Sequence, residues 1–444
     1  MIKTLRDALK IKDIRTKLLY TFMALIIVRI GCQLPVPGVD RNYFASWFEQ
    51  QTALNFFDAM TGGSFTQMSI FALNITPYIT ASIIIQLLTI AIPKLEEMQK
   101  EGEDGRKKIA EYTRYLTIGL ALIESIAMSV GFGNQGLLEG GITFTNVTVI
   151  VVSMTAGSAF LMWLGERITE KGVGNGISII LLINIVSRIP NDLTSLYNQF
   201  IASATVVNKI IAAVVILAVI LGMVVFIIVL QDGERRIPVQ YAKKVQGRKM
   251  VGGQSSNIPL KVNTAGVIPV IFASSLMSFP IVIAQFMGVS PASGAGASLG
   301  QKILKIFNQS SWCNFSNIHE FKYTLGLVAY IVLVIFFAYF YTSVTFNPIE
   351  VSNNMKKQGG FIPGIRPGKP TTDYLTKVLN NIIFIGAVGL TIVAVVPIFF
   401  SGAFDASVSF SGTSLIIIVG VVLETMKKIE SMMLVRHYKG FLND

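Results

Sequence analysis

The sequence predicts an all-α polytopic membrane protein of ten transmembrane helices. Three observations carry that reading. Hydrophobic residues make up 52% of the 444 positions and charged residues only 14%, too little charge to cover a soluble protein of this size. The apolar residues fall into long blocks separated by short polar stretches, the pattern of a bundle embedded in lipid. The basic residues gather at alternate ends of those blocks.

The first block, Leu18–Leu34, follows an N-terminus with six basic residues. It runs into Pro35-Val36-Pro37-Gly38 with no small-residue cleavage site, so it reads as an uncleaved span. The next four are Ile75–Ile92, Tyr115–Val130, Phe144–Leu164 and Ile177–Ile189. The last five are Ile210–Leu230, Val267–Phe286, Tyr323–Phe346, Val378–Phe400 and Leu415–Met426. Most approach the ~20 residues that cross ~30 Å of hydrocarbon, and the fifth and tenth are short. With the N-terminus inside, thirty of the 37 Lys and Arg fall on inner segments and six on outer ones, with Arg29 inside the first span. That imbalance places both termini in the cytoplasm.

The formal net charge of +12 fits the same rule and attraction to anionic lipid, and leaves room for an acidic or phosphate-rich partner. Cys32 and Cys313 are too few for a disulfide framework; one outer bridge or two membrane thiols are the readings.

An odd number of spans in each half makes the second five inverted relative to the first, if the halves are repeats. The second span opens with Asn74-Ile75-Thr76-Pro77; the seventh opens with Asn263-Thr264 and holds Pro269. The short fifth and tenth follow Gly174-Asn175-Gly176 and Gly412-Thr413. Independent helices with proline kinks explain these features equally well.

Three features bear on mechanism. The outer segment from Asn55 to Leu73 is semi-polar and helix-capable, weakened by Gly62 and Gly63 at about 1 kcal/mol each. It reads as a displaceable helix in a protein-lined cavity or as a helix on the outer surface. Next, Ile75 and Ile79 share one face of the second span, as do Ile177 and Leu181 on the fifth. Ile271 and Ile417 lie on the seventh and tenth. These residues suit a hydrophobic constriction or simple lipid and core contact. Finally, two cytoplasmic loops exceed what a turn requires. Residues 231–266 hold Arg235, Arg236, Lys243, Lys244, Arg248 and Lys249; residues 347–377 hold Lys356, Lys357 and a Pro/Gly tip presenting Arg366. Their charge suits RNA phosphates or an acidic protein surface.

Enzyme signatures are missing. His319 and His437 form no His-Glu-x-x-His pair, and the glycine run from Gly172 to Gly176 lacks the Lys of a phosphate loop. Arg29 and Glu124 are the charges well inside spans. A small-solute secondary transporter needs paired intramembrane carboxylates or an ion site, for which Glu124 alone is thin support. An intramembrane protease needs a catalytic pair. The residues imply neither a catalytic site nor a metal or cofactor.

The chain resembles the SecY family of protein-conducting channel subunits. The resemblance runs from Arg29-Ile30-Gly31 and Pro35–Asp40 to the tail. Its densest motifs are Pro77–Leu88, Met162–Glu166, Gly174–Ser178, Val267–Pro269, Phe361–Gly368 and Gly412–Leu415. It implies two inverted five-helix halves, 1–190 and 191–444, around an hourglass pore. Unfolded secretory chains would cross there, and signal sequences would leave sideways between spans two and three and spans seven and eight. The family's pore ring falls on Ile75, Ile79, Ile177, Leu181, Ile271 and Ile417, with Leu181 a conservative departure from isoleucine. The plug falls on about Phe57–Leu73, centred on Phe57, Asp58, Ala59, Met60, Thr61, Gly62, Gly63, Ser64 and Phe65. Ile83, Gln86, Ser274 and Ser275 fall at the lateral gate. The basic loop residues, and Arg366 above all, fall where the SecA motor or the ribosome docks. The implied partners are SecE, SecG, SecA, the ribosome, signal peptides and nascent chains, anionic lipids, and further YidC and SecDF. The implied location is the bacterial cytoplasmic membrane.

Overall fold

The computed structural model describes residues 2–40, 44, 58, 61–134, 136, 138, 141–202, 206–241, 244–246, 249–251, 255–286, 289, 298–313, 321–404 and 412–440. Helix dominates them. The chain opens with α1 (Ile2–Lys10) and α2 (Lys12–Gly31). After a turn-rich stretch, α3 (Thr76–Ala91) starts on Pro77, at a position where the missing amide hydrogen costs nothing. Pro93 ends it, and the short α4 (Pro93–Lys100) leaves at a 102° bend. Then come α5 (Glu103–Asn134), α6 (Phe144–Lys171) and α7 (Gly176–Leu196). The side chain of Asn175 caps α7 by accepting from the Ile177 and Ser178 amides. A π turn at Tyr197–Ala202 leads to α8 (Val206–Asp232). Four strands follow: β1 (Glu234–Tyr241), β2 (Lys244–Gln246), β3 (Lys249–Val251) and β4 (Ser255–Lys261). The rest of the chain holds α9 (Ile268–Phe286), α10 (Leu299–Phe307), α11 (Leu325–Thr345), α12 (Pro348–Lys357), β5 (Gly360–Phe361), α13 (Lys369–Phe404) and α14 (Gly412–Gly440).

Six described helical segments are long and apolar enough to cross a membrane, seven if the bent α3–α4 pair is one span. Ten were predicted. The difference lies where charge or a break shortens the apolar window. Residues Lys12, Asp13, Arg15, Lys17 and Arg29 dilute α2, and Glu424, Lys427, Lys428 and Glu430 dilute α14. The α9 helix, 19 residues with Pro280 inside it, holds an apolar stretch at Ile268–Ile281.

The fifth and tenth spans are also not short helices. The α7 helix has 21 residues and α14 has 29, because each continues past its apolar run into polar sequence. Pro190 sits inside α7, so the 190/191 boundary between the two expected halves falls within a continuous helix. Cys32 and Cys313 are both free and buried.

Three apolar clusters organise the bundle. One joins Val36, Val39, Phe44 and Phe65 to Ala121, Met128 and Phe132 of α5 and to Ile150 and Met154 of α6. A second joins α8, α9, α11, α13 and α14, around residues such as Ile227, Met277, Tyr330, Val393 and Ile416. The third lies where the two meet. It takes residues from α2, α6 and α7, from Phe71 and Ile75 before α3, and from α9 and α14. There α14 packs on α7, and α9 abuts α5.

Outside the bundle, β1 pairs antiparallel with β4 from Glu234↔Lys261 to Gln240↔Ser255, and with β5 through Gln240↔Phe361 and Tyr241↔Gly360. The strand order is β4-β1-β5. The two large loops, distant in sequence, thus form one sheet.

Candidate functional site: an apolar constriction, its seat and a basic sheet

The six isoleucine and leucine positions singled out in the sequence converge. Ile75 caps the start of α3 and Ile79 sits one turn on; Ile177 and Leu181 lie on α7, Ile271 on α9 and Ile417 on α14. All six belong to the junction cluster. Ile75, Leu181, Ile271 and Ile417 are buried, while Ile79 and Ile177 are half-buried. Four helix segments therefore aim branched apolar side chains at one place. A constriction lined by such side chains would give water and ions no hydrogen-bonding partner, which is how dewetting gates work.

The segment before α3 lies against this cluster. Phe57, Ala59 and Met60 lie outside the described residues. From Gly62 to Ile75 the backbone runs in turns, so the helix-capable reading fails over those positions. The cause is local. Gly62 and Gly63 have φ of +68° and +85°, and Met68 and Asn74 also lie at positive φ, which no right-handed helix accommodates. Nor does the stretch lie on the surface: Phe65, Met68, Phe71, Ala72 and Leu73 are all buried.

Polar contacts hold it. Asp58, 1% exposed, forms an ion pair with Arg188 of α7, and its Oδ1 accepts from the Thr66 amide at 2.9 Å. Arg29 Nη1 donates to the Gly62 carbonyl at 3.4 Å. Ser64 Oγ donates to the Phe71 carbonyl at 3.1 Å, and Ser158 Oγ of α6 donates to that of Asn74 at 3.0 Å. Satisfaction is incomplete. The Asn184 side chain is fully buried with neither Oδ1 nor Nδ2 hydrogen-bonded, and Thr66 Oγ1, Gln67 Oε1 and Ser69 Oγ are in the same state.

The sequence reading missed the Asp58–Arg188 pair. Arg188 stands next to last in the Ile177–Ile189 block and was given no role there. The available signal was Asp192, one turn further along the same helix face, which marks polar sequence continuing α7.

At the expected lateral gate, Ile83 of α3 packs against the second-half cluster, and α5 abuts α9. Gln86 and Ser275 are half-buried. Ser274 is fully buried and shares a hydrogen bond with Tyr330 Oη at 3.2 Å, so it faces α11 rather than the seam.

The sheet is built on a small core of Ile237, Val239, Leu260, Met355, Ile362, Leu375, Val378 and Ile382. Alternation along Arg236-Ile237-Pro238-Val239-Gln240 turns Ile237 and Val239 inward and leaves Arg235 and Arg236 exposed. Lys356 and Lys357 at the end of α12 are exposed, as is Arg366. The Arg366 tip is fixed by local bonds. The Ile365 amide donates to the Ile362 carbonyl at 3.0 Å, and Thr371 Oγ1 donates to the Arg366 carbonyl at 2.8 Å. Lys243 and Arg248 lie outside the described residues. Lys244 and Lys249 start the paired strands β2 and β3.

Comparison with known proteins converges on one family. The SecY family profile matches residues 69–426. The protein translocase subunit SecY of Halalkalibacterium halodurans is 44% identical over 452 residues, covering 100% of both chains. Its Bacillus subtilis counterpart is 42% identical over 456 residues, again covering 100% of both. Among solved structures, one described as a protein conducting channel matches with a TM-score of 0.57 at 15% identity, covering 94% of this chain and 92% of that one. Sec61 in a canine ribosome-channel complex matches with a TM-score of 0.56 at 15% identity and the same coverage. These two share the fold. With a profile spanning most of the sequence and relatives above two-fifths identity along its whole length, this chain belongs to the SecY family.

Proposed function

We propose that this chain is a protein-conducting channel of a cytoplasmic membrane. It passes unfolded secretory polypeptides and releases apolar segments sideways into lipid. The observation that carries the reading is the convergence of Ile75, Ile79, Ile177, Leu181, Ile271 and Ile417 from four helix segments on one apolar cluster. An apolar ring closes against ions, yet offers an extended chain no polar group to stick to. The turn-rich segment at residues 62–75 serves as the plug, held through Asp58–Arg188 and broken from helix by Gly62 and Gly63. The seam runs where α9 abuts α5, with Ile83 packed across it.

Ten spans in two inverted halves, both termini cytoplasmic, complete the arrangement; the thirty-to-six distribution of Lys and Arg supports it. The channel has no catalytic role of its own. Its driving partner is SecA or a translating ribosome, docked on the basic β4-β1-β5 face. SecE and SecG are its small membrane partners.

The test of this docking is Arg366→Glu in vesicles carrying the full complex. Arg366 is exposed on a locally bonded turn, so the variant inserts and folds normally. Motor-driven translocation of a secretory precursor is expected to stop. Unchanged translocation would refute the role given to Arg366.

A further inference from the structure

The outer loop between α9 and α11 contains a helix that the channel reading leaves without a role. It is α10, Leu299–Phe307, strongly amphipathic. Its start is well made. Ser298 Oγ accepts from the Gln301 amide, and the Gln301 side chain accepts from the Ser298 amide, a complete capping box. Its end is also fixed. Trp312 Nε1 donates to the Ile306 carbonyl at 2.7 Å, and the indole is fully buried. Gly326 of α11 permits this approach, since a Cβ there would stand 1.8 Å from the Ile306 carbonyl oxygen. The helix is therefore docked on the ends of α9 and α11, both of which it contacts.

The docked helix leaves an apolar edge uncovered. Leu299 is 80% exposed and Ile303, one turn on, is 51% exposed. Phe307 and Trp312 at the other end belong to or pack on the second-half cluster. The polar face carries Lys302 and Lys305, and Lys322 stands beside them; Lys305 and Lys322 both lie over the Tyr323 ring, at 5.0 and 5.3 Å. No Asp or Glu occurs between Ser298 and His319.

The neighbours identify what meets that edge. Leu325, Val328 and Val332 of α11 and Phe279 and Ile283 of α9 are exposed and apolar, as lipid-facing residues of spans are. The uncovered edge belongs to a helix that contacts both of these spans. Under the proposed topology, the ends of α9 and α11 that α10 contacts face the outer headgroup layer, which places Lys302 and Lys305 within reach of phosphates. A basic, amphipathic helix of this kind lies in the membrane interface.

We infer that α10 is an interfacial helix that inserts Leu299 and Ile303 into the outer leaflet and holds anionic phospholipid headgroups with Lys302. This rests on the topology given under the proposed function, which puts residues 287–322 outside. Because α9 also abuts α5, the helix ties one wall of the proposed seam to the outer lipid surface.

The test uses the full complex in vesicles of phosphatidylcholine with or without phosphatidylglycerol. Leu299→Cys and Gln301→Cys are each labelled with an environment-sensitive dye; the native cysteines are buried. Leu299 is exposed and Gln301 part-exposed. The Gln301 variant gives up the side-chain half of the capping box but keeps the bond from the 301 amide to Ser298 Oγ, and protease resistance equal to that of the parent protein checks that the helix start is retained. At position 299 the dye is expected to be quenched by shallow nitroxide lipids and shielded from aqueous iodide. At 301 the reverse is expected. Adding phosphatidylglycerol should shift the 299 dye toward the lipid-buried population roughly fivefold, the effect of one lysine near an anionic surface. Lys302→Gln should remove that shift. Iodide quenching at 299 from the outside would overturn the inference while leaving the channel reading intact. Shielding from both quenchers would mean that a protein covers the edge, and would equally overturn it. A dye reached only from the cytoplasmic side would overturn the topology as well. A shift that Lys302→Gln leaves unchanged would overturn the headgroup assignment.

Discussion

Single residues decide how firmly the segment before α3 is seated. Gly62 and Gly63 are adjacent and both at positive φ, but their surroundings differ. A Cβ on Gly62 would lie 2.7 Å from the Asn184 carbonyl oxygen, whereas a Cβ on Gly63 meets nothing within 4 Å. Either alanine costs about 1–2 kcal/mol from the backbone alone. Gly62→Ala adds a clash with the backbone of α7, which cannot shift without moving Leu181 and Arg188. We therefore expect Gly62→Ala to lower the melting temperature of the purified protein and raise ion leak through reconstituted vesicles more than Gly63→Ala does. Equal effects would show that the contact with Asn184 does not seat the segment. The glycines and the apolar positions were legible in the sequence, because residue type alone fixes their conformational or solvation preference. The Asp58–Arg188 pair was not, since it joins residues far apart in sequence through a fold that periodicity does not give.

At the scale of elements, the spans were read by their apolar runs, and all ten runs lie in or overlap helices of the structure. The ends were misread wherever helix and hydrophobicity part company. The α7 helix continues through Pro190 and Asp192, and α14 through Lys427 and Lys428, because a helix needs lipid-compatible residues only where lipid touches it. The cytoplasmic sheet escaped the reading. Its basic residues were conspicuous, but the two-residue alternation at Arg236–Gln240 is short, and β5 contributes only Gly360 and Phe361. The sheet joins the two loops through Val239, which is fully buried. Val239→Asp buries a charge with no counterion among the core residues, at a cost of several kcal/mol. Limited proteolysis should then cut residues 231–266 and 347–368 together, with the membrane bundle left intact. Cleavage of one loop alone would show that they do not fold as a unit.

The whole molecule is a set of helices that meet at one apolar junction, with a basic sheet at one end and the amphipathic α10 set on the C-terminal end of α9 and the N-terminal end of α11. Composition gave the membrane class, and the lysine and arginine asymmetry gives the proposed orientation, because solvation by lipid and the charge bias of insertion act on the whole chain. The meeting of α3, α7, α9 and α14 rests instead on tertiary packing, and only the resemblance to a family pointed to it. That meeting point is the central claim, and a stalled secretory chain tests it directly. Photoreactive residues are placed at Ile79 and Ile177, the two half-buried members of the cluster, and at lipid-facing Val332 as a control. A precursor arrested midway through translocation is expected to crosslink at 79 and 177 and not at 332. Crosslinking at neither 79 nor 177, together with solute uptake that depends on Glu124, would contradict the account and favour a small-solute transporter.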